Sequence, residues 1–335
     1  MAKADGRVVT VVVVNDSNAI RLRRATGSLV VEGAIEGLAR LGRLHPNARP
    51  ARHGVSVTRD VPYTESGLDA HLADVYRPLA ASGPLPVVAY FHGGGFRILS
   101  KDTHWVMGLA FARRGYLVLN FNYRLAPRWP YPAALEDACA ALLWAQANAA
   151  RFGGDPERLV LAGESAGGNL VTALAVATSW RRPEPWARAI FDAGVRPRAV
   201  VAACGILQVS APERLWQSRR VPEVIRDRVV EVSHAYLDGA APDPVGGVEL
   251  ADPLCVVERA AAPERALPPM FAPVGGRDLL EVDSARLAAA VAKLGGTCET
   301  KTYPGEGHAF HALVWRKAAR ECWRDTFAFL QRSGV

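Results

Sequence analysis

Ser165 stands between Gly163 and Gly167 in "VLAGESAGGNL" (160–170), where an apolar run gives way to a helix-like segment. A strand that turns at once into a helix leaves its corner residue strained, with the side chain exposed above the strand end. That position suits a nucleophile. Gly-x-Ser-x-Gly alone decides little, because at average glycine and serine usage about one random chain in ten of this length carries it. The reading therefore depends on partners. A serine hydroxyl attacks well only if a neutral imidazole takes its proton while a carboxylate orients that imidazole and stabilises its cation. The carbonyl oxygen under attack becomes negative and needs donors already in place.

Candidates for each role follow short apolar runs. Asp278 comes after "MFAPVGG", His308 after "CETKTYPGEG", and His92, Gly93, Gly94 and Gly95 after "VVAYF". Open parallel sheets collect ligand sites at the carboxyl ends of their strands, so four such features at four strand ends form one constellation. The chain order Ser165, Asp278, His308 is that of α/β-hydrolases and differs from chymotrypsin-like and subtilisin-like proteases. Glycines let backbone N–H groups approach an oxyanion unobstructed, and Ala166 adds another N–H at the start of a helix. His311 rivals His308, but the Gly-x-Gly-His-x-Phe setting after a strand favours His308. Glu281 and Asp283 rival Asp278, yet both suit the first turn of the next helix, where acids meet the positive end of the dipole. Arg124 is expected to brace the fold by pairing with Asp137.

These residues need a scaffold. "HGVSVTRDVPY" and "HLADVYRP" alternate apolar and polar positions like half-exposed outer strands. "LPVVAYF", "YLVLNFNY", "RLVLAGES", "RAVVAACGIL" and "PPMFAPVGG" read as strands buried on both faces. Between them "ALEDACAALLWAQANAARFG" and "SARLAAAVAKLGG" have helical periodicity and stop at Gly153 and Gly295. Residues 1–50 and 208–250 stand outside this alternation and are expected to cap the sheet's active edge. The hydrolase core then occupies 55–207 and 251–335.

Composition narrows the function. The formal charge is +7, but the basic residues are spread along all 335 positions, which argues against a nucleic-acid face. "VVTVVVV" (8–14) is short and β-branched, more like a strand than an export signal, and no run reaches the roughly eighteen apolar residues of a membrane helix. Five scattered cysteines, without a Cys-x-x-Cys pair, suggest neither a disulfide framework nor a metal site, and point to a cytoplasmic protein.

With "FHGGGF" (91–96), "DTH" (102–104), "YRLAP" (123–127), "YPAALEDACAAL" (131–142), "GESAGGNL" (163–170), Gly276-Arg277-Asp278 and "GEGHAF" (305–310), the sequence resembles the hormone-sensitive-lipase-like (bacterial family IV) carboxylesterases of the α/β-hydrolase fold. The resemblance spans roughly residues 55–335. It implies a mostly parallel sheet with a helical cap, a triad of Ser165, Asp278 and His308, and an oxyanion hole from Gly94, Gly95 and Ala166. It also implies that His92 shapes the glycine loop. Three positions depart from the family pattern: Glu164 replaces Asp, Leu279 replaces Pro and Ala309 replaces Gly. Trp105, Leu207, Trp216 and Phe310 are candidates to line a pocket. The implied activity is hydrolysis of short- to medium-chain acyl esters through an acyl-enzyme, with a small-molecule ester as partner and no cofactor. Homodimerisation is compatible with it. An amidase or arylacetamide-type deacylase would use the same residues, and a non-catalytic receptor on this fold would be expected to have lost part of the triad.

Overall fold

The computed structural model describes residues 33, 37, 39, 41–217, 220–238 and 247–335. "VVTVVVV" and most of the N-terminal part of the expected cap lie outside them. Among the described residues, eight strands form one sheet: β1 (Val55–Pro62), β2 (Leu72–Pro78), β3 (Leu85–Phe91), β4 (Leu117–Phe121), β5 (Gly154–Glu164), β6 (Ala199–Ala203), β7 (Met270–Gly275) and β8 (Cys298–Tyr303). Their order is β1-β2-β4-β3-β5-β6-β7-β8. The pairs β1/β2 and β2/β4 are antiparallel, and every other pair is parallel.

Side chains alternate across the sheet, and helices cover both faces. Val87, Ala89 and Phe91 of β3 join one core with Leu119, Leu161 and Val200. That face carries residues of α2 (Ala133–Asn148), α3 (Ala166–Ser179), α4 (Pro185–Asp192), α6 (Pro253–Arg259) and α7 (Glu281–Lys293). Val88 and Tyr90 point the other way, to a second core with α1 (Trp105–Ala112) and α8 (Lys317–Arg332). The remaining helix, α5 (Glu223–Leu237), lies in the stretch read as a cap insertion. No helix among the described residues is long and apolar enough to cross a membrane.

The helical segment expected to stop at Gly153 does so: α2 tightens into a 3-10 turn over Ala149–Phe152 and ends on Gly153 at φ 83°. Strand β2 corrects the sequence reading. It is not half-exposed, since Ala73 to Tyr76 are all buried between two neighbouring strands. Its polar residue, Asp74, is fully buried because Lys101 Nζ reaches it at 2.9 Å and Arg59 Nη1 at 3.2 Å. Alternation in the sequence thus reflects a buried ion pair, and the usual inference from polar position to solvent fails there.

Candidate active site

Ser165 occupies the junction between β5 and α3 with φ 53° and ψ −114°, a conformation an L-residue keeps only when its surroundings enforce it. They do so from three sides. Ser165 N–H donates to Ala203 O (3.0 Å), and Ser165 O accepts from Ile206 N (3.2 Å) and Asn169 N (3.1 Å). Gly167, two residues on, has no room for a side chain, because a Cβ would lie 2.0 Å from Phe91 O. The glycine-flanked serine therefore sits on a helix N-terminus pressed against the end of β3.

Asp278 follows β7 in a turn that forms without the family's proline: Asp278 N–H donates to Gly275 O (3.0 Å), and Leu280 N–H donates to Asp278 Oδ1 (3.0 Å). Its other oxygen, Oδ2, lies 2.8 Å from His308 Nδ1. Asp278 is buried, while the His308 side chain is 44% exposed, so the imidazole has one edge toward the carboxylate and access to solvent. Burial alone would lower the His308 pKa, but the Asp278 and Cys204 side chains outweigh it and hold it well above the ordinary 6.5. Ala309, in place of the family's glycine, adopts φ 53°, which accounts for glycine being usual there. Among the described residues no hydrogen bond joins Ser165 Oγ to His308. The two are brought to one place through β6: Ser165 is tied to Ala203, and the next residue, Cys204, lies beside Asp278 and His308.

The glycine loop closes the remaining side. Gly94 has φ 111°, and a Cβ there would come within 2.1 Å of Ile98 O. Among the described residues the N–H groups of Gly94, Gly95 and Ala166 donate to no protein acceptor. His92 is buried, with Nδ1 2.7 Å from Gly93 O and its ring stacked 4.3 Å from Tyr123. Burial, then the neighbouring His104, pushes its pKa down to about 3, which suits a neutral spacer.

Glu164 is more than a longer aspartate. Its Oε1 accepts from Gly93 N–H (3.0 Å) and contacts His104 Nε2 (2.5 Å), and its other oxygen accepts from Tyr90 OH. The residue before Ser165 thereby anchors the first peptide of the glycine loop. Glu164 and the His104 of "DTH" were visible in the sequence as separate landmarks. Their union was not, because 60 residues separate them.

The rivals have other work. His311 is buried behind the site, with its carbonyl accepting from Trp323 Nε1 (3.0 Å). Asp283 is fully buried and, beyond starting α7, accepts from Leu207 N–H (3.1 Å) and pairs with Arg214 (2.6 Å). Arg124 pairs with Asp137 at 2.7 Å as expected, and also with Glu136 at 2.8 Å. Of the pocket candidates, Leu207 has no exposed surface and Phe310 packs 5.0 Å from Tyr303, so both belong to the core rather than to an open pocket wall. Trp105 packs beside the second core and faces Arg43, Arg49 and Arg59 across a separate crevice. Trp216 is half-buried, with the Arg226 guanidinium 5.8 Å from its ring. The side chain that does reach the glycine loop is Val232 of α5, whose Cγ2 would be 2.5 Å from a Cβ on Gly95.

Comparison with known proteins agrees with this architecture. A family model described as alpha/beta hydrolase fold matches residues 88–312. The carboxylesterase NlhH of Mycobacterium tuberculosis is 47% identical over 102 residues, a match covering 30% of this chain and 32%, about a third, of that protein. The versiconal hemiacetal acetate esterase of Dothistroma septosporum is 28% identical over 276 residues, covering 80% of this chain and 77% of its own. Among solved structures, esterase LipW from Mycobacterium marinum superposes with a TM-score of 0.71 at 24% identity, covering 95% of this chain and 96% of LipW, a likeness of fold.

Proposed function

This chain belongs to the alpha/beta hydrolase fold family, and from that membership we propose that it is a serine carboxylesterase acting on short- to medium-chain acyl esters. The observation that carries the reading is the pairing of a strained corner serine, at φ 53°, with a solvent-accessible imidazole held 2.8 Å from a buried carboxylate. The names of the similar proteins, a carboxylesterase and a hemiacetal acetate esterase, support ester over amide chemistry.

In this mechanism Ser165 Oγ attacks the ester carbonyl carbon while His308 Nε2 takes its proton. Asp278 holds the Nδ1–H tautomer and stabilises the imidazolium. Negative charge on the former carbonyl oxygen is met by the N–H groups of Gly94, Gly95 and Ala166, each such donor worth about 3–4 kcal/mol of transition-state stabilisation. The intermediate collapses, the alcohol leaves with the proton from His308, and the acyl group stays on Ser165. Water, deprotonated by the same imidazole, then releases the acid. Residues 208–250, with residues 1–50, form the cap in this reading, and Val232 limits the room beside Gly95.

Nitrophenyl esters of graded acyl length, run beside the matching nitroanilides, test the proposal. Turnover of the esters, lost in Ser165→Ala, supports it. Faster turnover of the anilides would replace it with an amidase, and no turnover of either, with a folded protein and no labelling of Ser165 by a small phosphonate, would overturn it.

A further inference from the structure

Cys204 has no part in the mechanism above, yet it stands inside the site. It follows β6 directly, and its backbone is held at φ 39° by donation of its N–H to Pro273 O at 2.8 Å. Its Sγ, a carboxylate oxygen of Asp278 and a ring nitrogen of His308 all lie within 4.8 Å of one another. Among the described residues this is the one group of three such donors at that spacing.

We propose that Cys204, Asp278 and His308 form a binding site for a thiophilic divalent cation, zinc or cadmium, whose occupancy shuts off the Ser165 chemistry. The ligand types are those of zinc, with one thiolate, one imidazole and one carboxylate, and a fourth position left to water through the exposed edge of His308. Magnesium and calcium, which take oxygen ligands, do not fit the set. In a tetrahedral site with bonds of about 2.0–2.3 Å, donors stand roughly 3.3–3.8 Å apart, so the His308–Asp278 pair at 2.8 Å opens slightly and any wider spacing to the Cys204 sulfur, at most 4.8 Å, closes by up to about 1 Å. His308, at the surface, has the freedom to do so.

The step balances without a further reactant. The cation takes the Cys204 sulfur as thiolate, and the thiol proton goes to solvent. Nδ1, which faces Asp278, donates its lone pair to the cation, and the imidazole proton moves to Nε2. From the neutral imidazole one proton is released per cation, and from the imidazolium two, so binding tightens as pH rises. With Nε2 carrying the proton, the imidazole no longer accepts one from Ser165, and Asp278 has exchanged its hydrogen bond for the cation. The effect on turnover rests on the esterase reading; the binding site itself does not.

The test separates the two. Full-length Ser165→Ala is titrated with cadmium chloride alone, and the ultraviolet thiolate-to-cadmium charge-transfer band is followed. One band equivalent per chain is expected, and it disappears in the Ser165→Ala/Cys204→Ala double variant, with Cys204→Ser as a second replacement if the alanine variant does not fold. In parallel, the ester turnover of Cys204→Ala, read on the plateau of that variant's own pH profile, becomes about 100-fold less sensitive to zinc and cadmium than the native chain's. No band in Ser165→Ala, a band that survives loss of Cys204, or inhibition unchanged in Cys204→Ala overturns the proposal. Absent ester turnover with the band intact would sink the esterase reading and leave the site.

Discussion

Glu164 and His104 meet 2.5 Å apart in the protein interior, and the same Glu164 oxygen holds the N–H of Gly93. Burial alone would raise the glutamate pKa and lower that of the histidine. Their mutual charge wins, placing Glu164 far below the ordinary carboxylate range and His104 above 6.5. A buried ion pair thus clamps the glycine loop to the strand that leads to Ser165.

Glu164→Gln keeps the shape and removes the charge. We expect kcat to fall about tenfold or more with little change in KM, as for loss of a transition-state contact, together with a lower melting temperature. The stabilisation His104 contributes is complete below 6.5, its unfolded value, and is lost as pH rises through its raised pKa. The share from Glu164 is complete above 4.5 and is lost as pH falls through its depressed pKa. Denaturation midpoints across pH therefore trace a plateau that flattens in the variant; an unchanged profile would remove the clamp.

Ser165→Ala removes one oxygen at the corner. Ester turnover should drop on the order of a million-fold, by analogy with other serine triads, with the unfolding transition unchanged. Steady-state kinetics and calorimetry on the same preparation check both halves.

The pH dependence of kcat/KM reports the free imidazole. From the sequence, a rise near neutrality is expected. The Asp278 carboxylate, helped by Cys204 and opposed by burial, moves it upward, so activity grows through an ionisation above 6.5. Asp278→Asn should bring the inflection down and lower the plateau, and His311→Gln should leave it in place. The sign for stability is opposite: the imidazolium–Asp278 attraction is fully present below 6.5 and lost as pH rises through the elevated pKa.

Arg214→Ala takes the nearer cation from Asp283, which has no exposed surface and anchors the N–H groups of Leu207 and Gln208, and leaves Arg286 at 3.6 Å as its remaining charge partner. Breaking a buried pair with no second cation costs about 3–5 kcal/mol, and urea denaturation should register a loss approaching that order. Arg214→Ala with Asp283→Asn should recover part of it.

Val232→Ala opens space beside Gly95. The preferred acyl or alcohol group should become bulkier, seen as a falling KM for longer nitrophenyl esters while acetate turnover holds within about threefold. A profile identical to the native one would remove α5 from the pocket.

Much of this was readable from single strands and their ends. Short apolar runs place β3 to β7, with Ser165 just beyond β5 and Asp278 just beyond β7, and the turn after β8 brings His308 to 2.8 Å from Asp278. Reading failed where the deciding partner is distant in sequence. Asp74 marks β2 as an outer strand only until Lys101 is seen to neutralise it. Cys204, one of five scattered cysteines, acquires meaning only when β7 and the turn after β8 deliver Asp278 and His308 beside it. Aromatic and leucine side chains next to motifs carry no signal that separates a pocket wall from a core, and Leu207 and Phe310 went to the core.

Helix α5 is fastened to the glycine loop at three successive residues: Val232 lies against Gly95, Tyr236 stacks 3.8 Å from Phe96, and Glu231 pairs with Arg97 at 2.9 Å. A helix held this way does not behave as a detachable module. Chimeras that exchange residues 208–250 with a relative's equivalent would inherit mismatched contacts at the loop that carries Gly94 and Gly95, and so would lose turnover even where the new helix suits the new substrate. Transplants should therefore move Phe96 and Arg97 together with α5, making the unit of inheritance the loop and its helix as one.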